Sequence, residues 1–324
     1  MKKKERSVAN RIFVISLCVL LSLYALSMIM ILLWGFMTSL KNPLELDPAT
    51  NNWVGLPIMD KNEMVNSIDY IWFKNYFIIF ENYSEYESNA LSSSLKGSTY
   101  YSWWGEVEIP GMKGGLITIM FNTVIYTVIG SILHTIIPAV VAYAVVKYDN
   151  PAAKIITGAA LFALTTPIIG SQASMLAMLR NIGLYDTIWG YLLQKAGFTG
   201  MYFFVFSAFY QSVPDSFSEA AEIDGASQFY VLTKIIIPLS IKTLSTVFLI
   251  QFIHFWNDYQ TANLYMPHHP TLAFFVWKLT TLSKLNEPTI KIATTMMLAL
   301  PILIAFIFLK DKLMGNVTMG GLKQ

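Results

Sequence analysis

Pro214-Asp215-Ser216-Phe217-Ser218-Glu219-Ala220-Ala221-Glu222-Ile223-Asp224-Gly225-Ala226 is the stretch on which the reading of this chain turns. It holds four acidic side chains and no basic one, and it lies between two apolar runs. Ser216 and Glu219 stand at capping-box spacing and Ala220 and Ala221 favour helix. Asp224-Gly225 supplies a stop, because glycine takes positive φ without steric cost. The stretch predicts a short helix, a turn and a second short helix, all outside a bilayer.

The sequence on either side shows why a bilayer is involved. Of 324 residues, 55% are hydrophobic and 13% charged, where a water-soluble domain carries roughly 25% charge. With long uncharged stretches, this composition marks an integral membrane protein and excludes soluble enzyme folds. A net charge of +2 gives no global attraction for nucleic acid. The single cysteine, Cys18, excludes an intrachain disulfide or a multi-cysteine metal site.

Six apolar segments have the length or composition of spans: residues 12–40, 116–146, 155–179, about 188–213, 235–256 and 292–309. The fourth is interrupted by Lys195 and Gly197, which leaves its ends open. The first follows a basic segment and could be a signal peptide, but it runs well beyond the usual length of about 7–15 apolar residues and reads as a retained span. An even span count puts both termini on one side, and Lys2, Lys3, Lys4, Arg6 and Arg11 put that side in the cytoplasm. The segments then assigned inside hold 12 basic against 7 acidic residues, and those outside 10 against 13. The predicted organisation is a cytoplasmic N-terminus at 1–11, a first helix at 12–40, an acidic, aromatic-rich external loop or cap at 41–115, and a transmembrane domain at 116–324. The acidic loop 214–234 breaks the positive-inside pattern and requires a partner or a function.

Glu219-Ala220-Ala221, then Asp224-Gly225-Ala226, then Pro238-Leu239 resembles the EAA loop of binding-protein-dependent ABC importer permeases. Further pieces fall in the family's order: Thr38-Ser39-Leu40-Lys41, Asn75-Tyr76, Phe121-Asn122-Thr123, Ala142-Tyr143-Ala144, Asn181-Ile182-Gly183-Leu184, Phe255-Trp256-Asn257-Asp258 and Gly320-Gly321-Leu322-Lys323. The chain is similar to the sugar branch, on the side of the second maltose-transporter permease. That resemblance implies an all-α integral membrane protein with six transmembrane helices, the type I importer permease fold and a cytoplasmic coupling helix. It also implies a bacterial inner-membrane location, a second homologous permease, two cytoplasmic ATPase subunits and an extracytoplasmic sugar-binding protein. Glu219, Ala220, Ala221, Asp224 and Gly225 would couple the chain to the ATPase, with Glu219 docking in its groove and Gly225 making the turn. The sequence departs from the family between Asn75-Tyr76 and Asn122-Thr123, where residues 89–105 look inserted and enlarge the external loop between helices 1 and 2.

The chain has no G-x-x-x-x-G-K-[ST] phosphate loop, so no cofactor is expected in it; ATP and magnesium belong to the partner ATPase. Polar side chains within spans are expensive in lipid and point to a cavity or another helix. Gln172, Gln251, His254, Trp256 and Asn257 are accordingly the candidate solute pathway, with Gln251, His254 and Asp258 expected on one face. His134 is expected to bond between helices. In the family, the external loop corresponding to 257–290 reaches the binding protein, which makes Met266, Pro267, His268, His269 and Pro270 candidate contacts. Lys278, Lys284 and Lys291 raise the option of an acidic oligosaccharide. No catalytic or metal residues are expected: the adjacent histidines lack HExxH spacing. The alternatives are a permease for a non-sugar solute and, in another class, an intramembrane enzyme.

Overall fold

A computed structural model describes residues 8–41, 43–46, 75–76, 79, 101–102, 105–106, 115–148, 150–166, 170–282 and 287–314. Among the described residues the regular structure is helical apart from one antiparallel ribbon, β1 (Tyr101–Ser102) and β2 (Gly105–Glu106), which pairs Tyr101 with Glu106. The helices are α1 (Val8–Ser39), α2 (Gly115–Lys147), α3 (Pro151–Thr165), α4 (Ser171–Asn181), α5 (Ile188–Lys195), α6 (Met201–Gln211), α7 (Ser216–Ile223), α8 (Gln228–Val231), α9 (Ile237–Trp256), α10 (Tyr259–Tyr265), α11 (Leu272–Leu282) and α12 (Pro288–Met314). Most of the predicted external loop, the tail 315–324 and Lys284 lie outside the described residues.

Four of the helical stretches are long and apolar enough to cross a membrane: Ile12–Ser39, Ile119–Lys147, Gln228–Trp256 and Pro288–Ile307. The other two predicted spans are each two helices. Residues 155–179 are divided between α3 and α4, and α4 begins after Gly170 at φ 78. Residues 188–213 are divided between α5 and α6, and Gly200, at φ 139, precedes the second. At 1.5 Å per residue, the 15 residues of α3 reach only about 22 Å, short of a hydrocarbon core.

The chain forms two compact units. In the first (Met1–Ala90 and Leu279–Ala299), every residue from Ile12 to Trp34 is exposed. A helix apolar around its whole circumference requires lipid or another apolar chain beside it. Its C-terminal end is anchored instead. The Asn75 amide donates to the carbonyls of Ser39 (2.8 Å) and Lys41 (2.7 Å), and the Ser39 and Tyr76 hydroxyls share a bond of 2.8 Å.

The second unit, Leu91–Lys278 and Leu300–Gln324, has two cores. One gathers Ala139, Ala142 and Tyr143 of α2, Phe203, Phe206 and Tyr210 of α6, and Leu244 and Val247 of α9. Small residues such as Ala139, Ala142 and Ala160 let backbones approach where lipid offers no hydrophobic drive. The other core joins Tyr126, Leu179, Tyr191, Tyr265, Met266 and Phe274. Gly130 marks the tightest approach in α2: a β-carbon there would stand 2.7 Å from the Tyr191 hydroxyl. Several hydroxyl side chains within helices are satisfied locally, as Thr157 to Ala153 (2.9 Å) and Ser207 to Phe203 (2.8 Å) illustrate, because hydrocarbon offers them no water.

Candidate functional site

The helix α7 starts differently from expectation. Asp215 is already in a helical conformation, its carbonyl accepts from the amides of Ser218 (2.9 Å) and Glu219 (3.0 Å), and no side chain caps the end. Ser216 is therefore inside the first turn and forms no capping box with Glu219. The Pro214 carbonyl also accepts from the Phe217 amide (3.4 Å), so the first turn is already under way before Ser216. The C-terminal stop is as predicted. The amide of Gly225, at φ 82, donates to the Glu222 carbonyl (3.0 Å) and the Ala226 amide to that of Ala221 (2.9 Å), the paired bonds of a Schellman turn. Ser227 then caps α8 through the Tyr230 amide (3.3 Å). The predicted second short helix is not separate: α8 passes through a π-helical turn, Leu232–Ile236, directly into α9.

The sides of α7 are unequal. Ser218 is buried, and Ala221 and Ala226 pack against the Tyr143 and Tyr210 core. Ser218 also lines a cavity of about 20 Å³ with Tyr143, Lys147, Tyr210 and Asp215. Glu219 and Ala220 are exposed, Phe217 is half exposed and Ile223 is 87% exposed. The Glu219 carboxylate has no hydrogen-bond or ionic partner among the described residues. Asp224 and Gly225 are exposed as well. At the C-terminal end of α2, Lys147 lies 3.4 Å from Glu222, which accepts from Gln228 (2.8 Å); Gln228 in turn accepts from the Tyr148 hydroxyl (2.9 Å). The Gln228 bond, helped by the Lys147 charge, holds the Glu222 carboxyl below its ordinary range.

The candidate pathway residues differ in their surroundings. Gln251 is buried, whereas His254, about 60° round the helix, is exposed. Asp258 lies beyond the end of α9, since Asn257 is the cap and its amide turns back to the Ile253 carbonyl (2.8 Å). Trp256 is buried and stacks on Phe252, with ring centroids 5.8 Å apart. Gln172, expected deep in a span, is exposed in the first turn of α4, where its carbonyl accepts from the Tyr265 hydroxyl (3.3 Å).

Asp258 instead caps α10 through the Thr261 amide (2.9 Å) and pairs with Lys195 (3.0 Å), whose ammonium also reaches Thr261 (3.3 Å). Both charged side chains are 13% exposed. Burial works to raise the Asp258 pKa, but the Lys195 charge and the Thr261 bonds outweigh it and hold the carboxyl low. The ammonium lies over the rings of Phe255 (4.5 Å) and Tyr191 (5.2 Å). His134 makes the interhelical contact expected of it, with the Lys195 carbonyl at 3.3 Å. The Lys195–Asp258 pair was legible in principle, because a lysine inside an apolar segment requires a partner.

The loop 266–270 is embedded, not projecting. Met266 and Pro270 are buried, and Pro267, His268 and His269 are half-buried. The Asn122 amide donates to the Pro270 carbonyl (3.3 Å), and the Thr123 hydroxyl accepts from the Leu272 amide (2.7 Å). His268 is held by Asp186: its ring contacts one carboxylate oxygen and its amide donates to the other (3.2 Å). Asp186 sits at φ 59, uncommon for a residue with a side chain, and nothing in its sequence neighbourhood announced it. Among the described residues no three His, Cys, Asp or Glu side chains are grouped to hold a metal ion.

Comparison with known proteins finds relatives among transport system permeases. The trehalose transport system permease SugB of Mycobacterium tuberculosis is 27% identical over 63% of this chain and 76% of its own. The polygalacturonan/rhamnogalacturonan transport system permease YtcP of Bacillus subtilis is 25% identical over 62% and 75%. A chain in the crystal structure of a bacterial ABC transporter involved in the import of the acidic polysaccharide alginate aligns over 94% of this chain and 98% of its own. With a TM-score of 0.65 and 22% identity, it shares the fold. The family described as binding-protein-dependent transport system inner membrane component matches residues 135–311, more than half of the sequence, and the chain belongs to that family, as the permease subunit of an ABC importer.

Proposed function

We propose that the chain is one of two homologous permeases, paired as a heterodimer, that pass a di- or oligosaccharide from an extracytoplasmic binding protein into a bacterial cytoplasm. Two separate ATPase subunits bind ATP and magnesium and supply the drive. The carbohydrate class is supported by the trehalose and polygalacturonan permeases among its relatives. An acidic oligosaccharide is the finer reading, favoured by the second of them. In this reading the chain crosses the membrane six times, with α3 and α4 forming the third crossing, α5 and α6 the fourth, and both termini inside. The residues 41–115 and 257–290 then face the binding protein, and Gln251 is the retained pathway candidate.

The observation that carries the coupling role is the orientation of α7. Its inner side is seated by Ser218, Ala221 and the Schellman turn, while Glu219 stands outward between exposed Phe217 and Ile223. A glutamate that only capped its own helix would turn back on the first turn, and Glu219 has no such bond. Closure of the ATPase dimer on ATP would draw α7 with it and favour the outward-open state. Alternating access is then the differential stabilisation of two conformations by bound partners. The test is uptake by the assembled transporter. Glu219→Ala with Gly225→Pro is expected to reduce sugar uptake to background with membrane insertion intact, and normal uptake by that variant would sink the reading.

A further inference from the structure

We propose that Lys147, Glu222, Gln228 and Tyr148 form a strut that makes α2 move with α7, so that Lys147 and Glu222 are positioning residues for transport. The inference rests on the reading that α7 receives the motion of the ATPase.

Two routes lead from α7 into the membrane. The covalent route runs through the Schellman turn at Gly225, the four residues of α8 and the π-helical turn Leu232–Ile236 before α9 begins. Wider π-type turns recur at functional sites inside helices, and here one sits between the helix that is pushed and the span that must respond. The second route is short and lateral. From the C-terminal turn of α7, Glu222 reaches Lys147, the last residue of α2, at 3.4 Å. Gln228, the first residue of α8, closes the triangle by donating to Glu222 at 2.8 Å and accepting from Tyr148 at 2.9 Å. The end of α7, the start of α8 and the end of α2 thus meet in one hydrogen-bonded group.

The helix at the far side of the strut is suited to carrying a displacement. The α2 helix spans 33 residues with Pro138 inside it, and its last turns, between Pro138 and Lys147, pack on both α6 and α9 through Tyr143, Phe206, Tyr210 and Val247, so a shift at Lys147 is delivered to the core of the second unit. Beneath α7, Ala221 packs against the Tyr143 core and Ser218 lines a cavity of about 20 Å³ with Tyr143 and Lys147. The polar bridge at the rim adds a directional connection to this apolar contact. Glu222 is 38% and Lys147 17% exposed, so the bridge contributes little to folding and its removal reads out on coupling and not on stability.

The experiment uses the complete transporter, with its second permease, ATPases and binding protein, reconstituted in vesicles. Lys147→Glu and Glu222→Lys are each expected to lower the number of solute molecules moved per ATP hydrolysed by about fivefold, the upper factor that an exposed pair supports. The double exchange restores the bridge with reversed polarity and should return the ratio to near the parent value, a recovery that mere loss of structure would not show. Throughout, the ATPase should co-purify in parent amounts. Unchanged ratios in the single variants, or a double variant no better than either, would overturn the strut. Loss of the ATPase from the single variants would overturn it too, because the bridge would then hold α7 for docking and transmit nothing. Glu219→Ala separates this from the underlying reading: retained ATPase binding and full uptake in that variant refute α7 as the receiving helix, whatever the charge exchange does.

Discussion

Lys195 and Asp258 show how a single charged residue in an apolar segment determines its surroundings. An ammonium at that depth is tolerable only when paired, and Asp258, Thr261 and the rings of Phe255 and Tyr191 supply that pairing. Removing one member leaves the other charge buried and alone. Lys195→Met is therefore expected to destabilise the chain by about 3 kcal/mol or more, seen as a lower melting temperature in detergent. The double variant Lys195→Met with Asp258→Asn should recover part of that loss, since neither charge remains. A double variant less stable than the single would contradict the pairing account. The sequence revealed Lys195 only as an interruption and Asp258 only as a continuation of the face of Gln251 and His254. The pair is invisible to helical periodicity because α9 ends at Trp256, so a spacing extrapolated to residue 258 describes a helix that is no longer there.

The elements that hydropathy read well are those whose length is set by an unbroken apolar run: α1, α2, α9 and α12. It failed where short polar breaks are averaged into an apolar run. Gly170 and Gly200 take positive φ, and the polar residues near them, Ser171-Gln172 and Gln194-Lys195, are too few to end the segment in a hydropathy window. The start of α7 was misread because the capping residues were weighed by spacing alone, whereas Asp215 is already helical and leaves Ser216 inside the first turn. Conversely, Asn122-Thr123, recognisable only as part of a family pattern, has a physical role at this scale. Thr123 lies in the α2 helix, where its hydroxyl donates to the Ile119 carbonyl (2.7 Å) and accepts from the buried amide of Leu272, the first residue of α11. That amide has no partner within its own helix. Thr123→Val keeps the shape and removes the acceptor, and the expected cost is about 1–3 kcal/mol. Thr123→Ser keeps the hydroxyl and should cost less. Equal melting temperatures for the two variants would show that water or another group serves the Leu272 amide.

For the molecule as a whole, the orientation in the membrane rests on charge. The segments assigned inside hold 12 basic residues and those outside 10, and because the rule counts basic residues near the spans, not net charge, this margin is narrow. Most of the asymmetry comes from the five basic residues before the first span, while the acidic loop carrying α7 opposes it. A direct test needs two reporters that flank one crossing. Ser218, an obvious position in α7, is buried and would report burial, not sidedness. Ile223, 87% exposed, and Gln260, exposed on α10, lie on either side of α9 and suit the purpose. The exposed native thiol is removed by Cys18→Ser, and the chain is produced without its ATPase so that nothing covers α7. Gln260→Cys should then react with a membrane-impermeant maleimide in intact cells, and Ile223→Cys only after permeabilisation. The opposite pattern would invert the whole chain and put the acidic loop outside, where no ATPase could reach Glu219. Equal labelling in intact cells would mean that α9 does not cross the bilayer, and the six-crossing arrangement would fall with it.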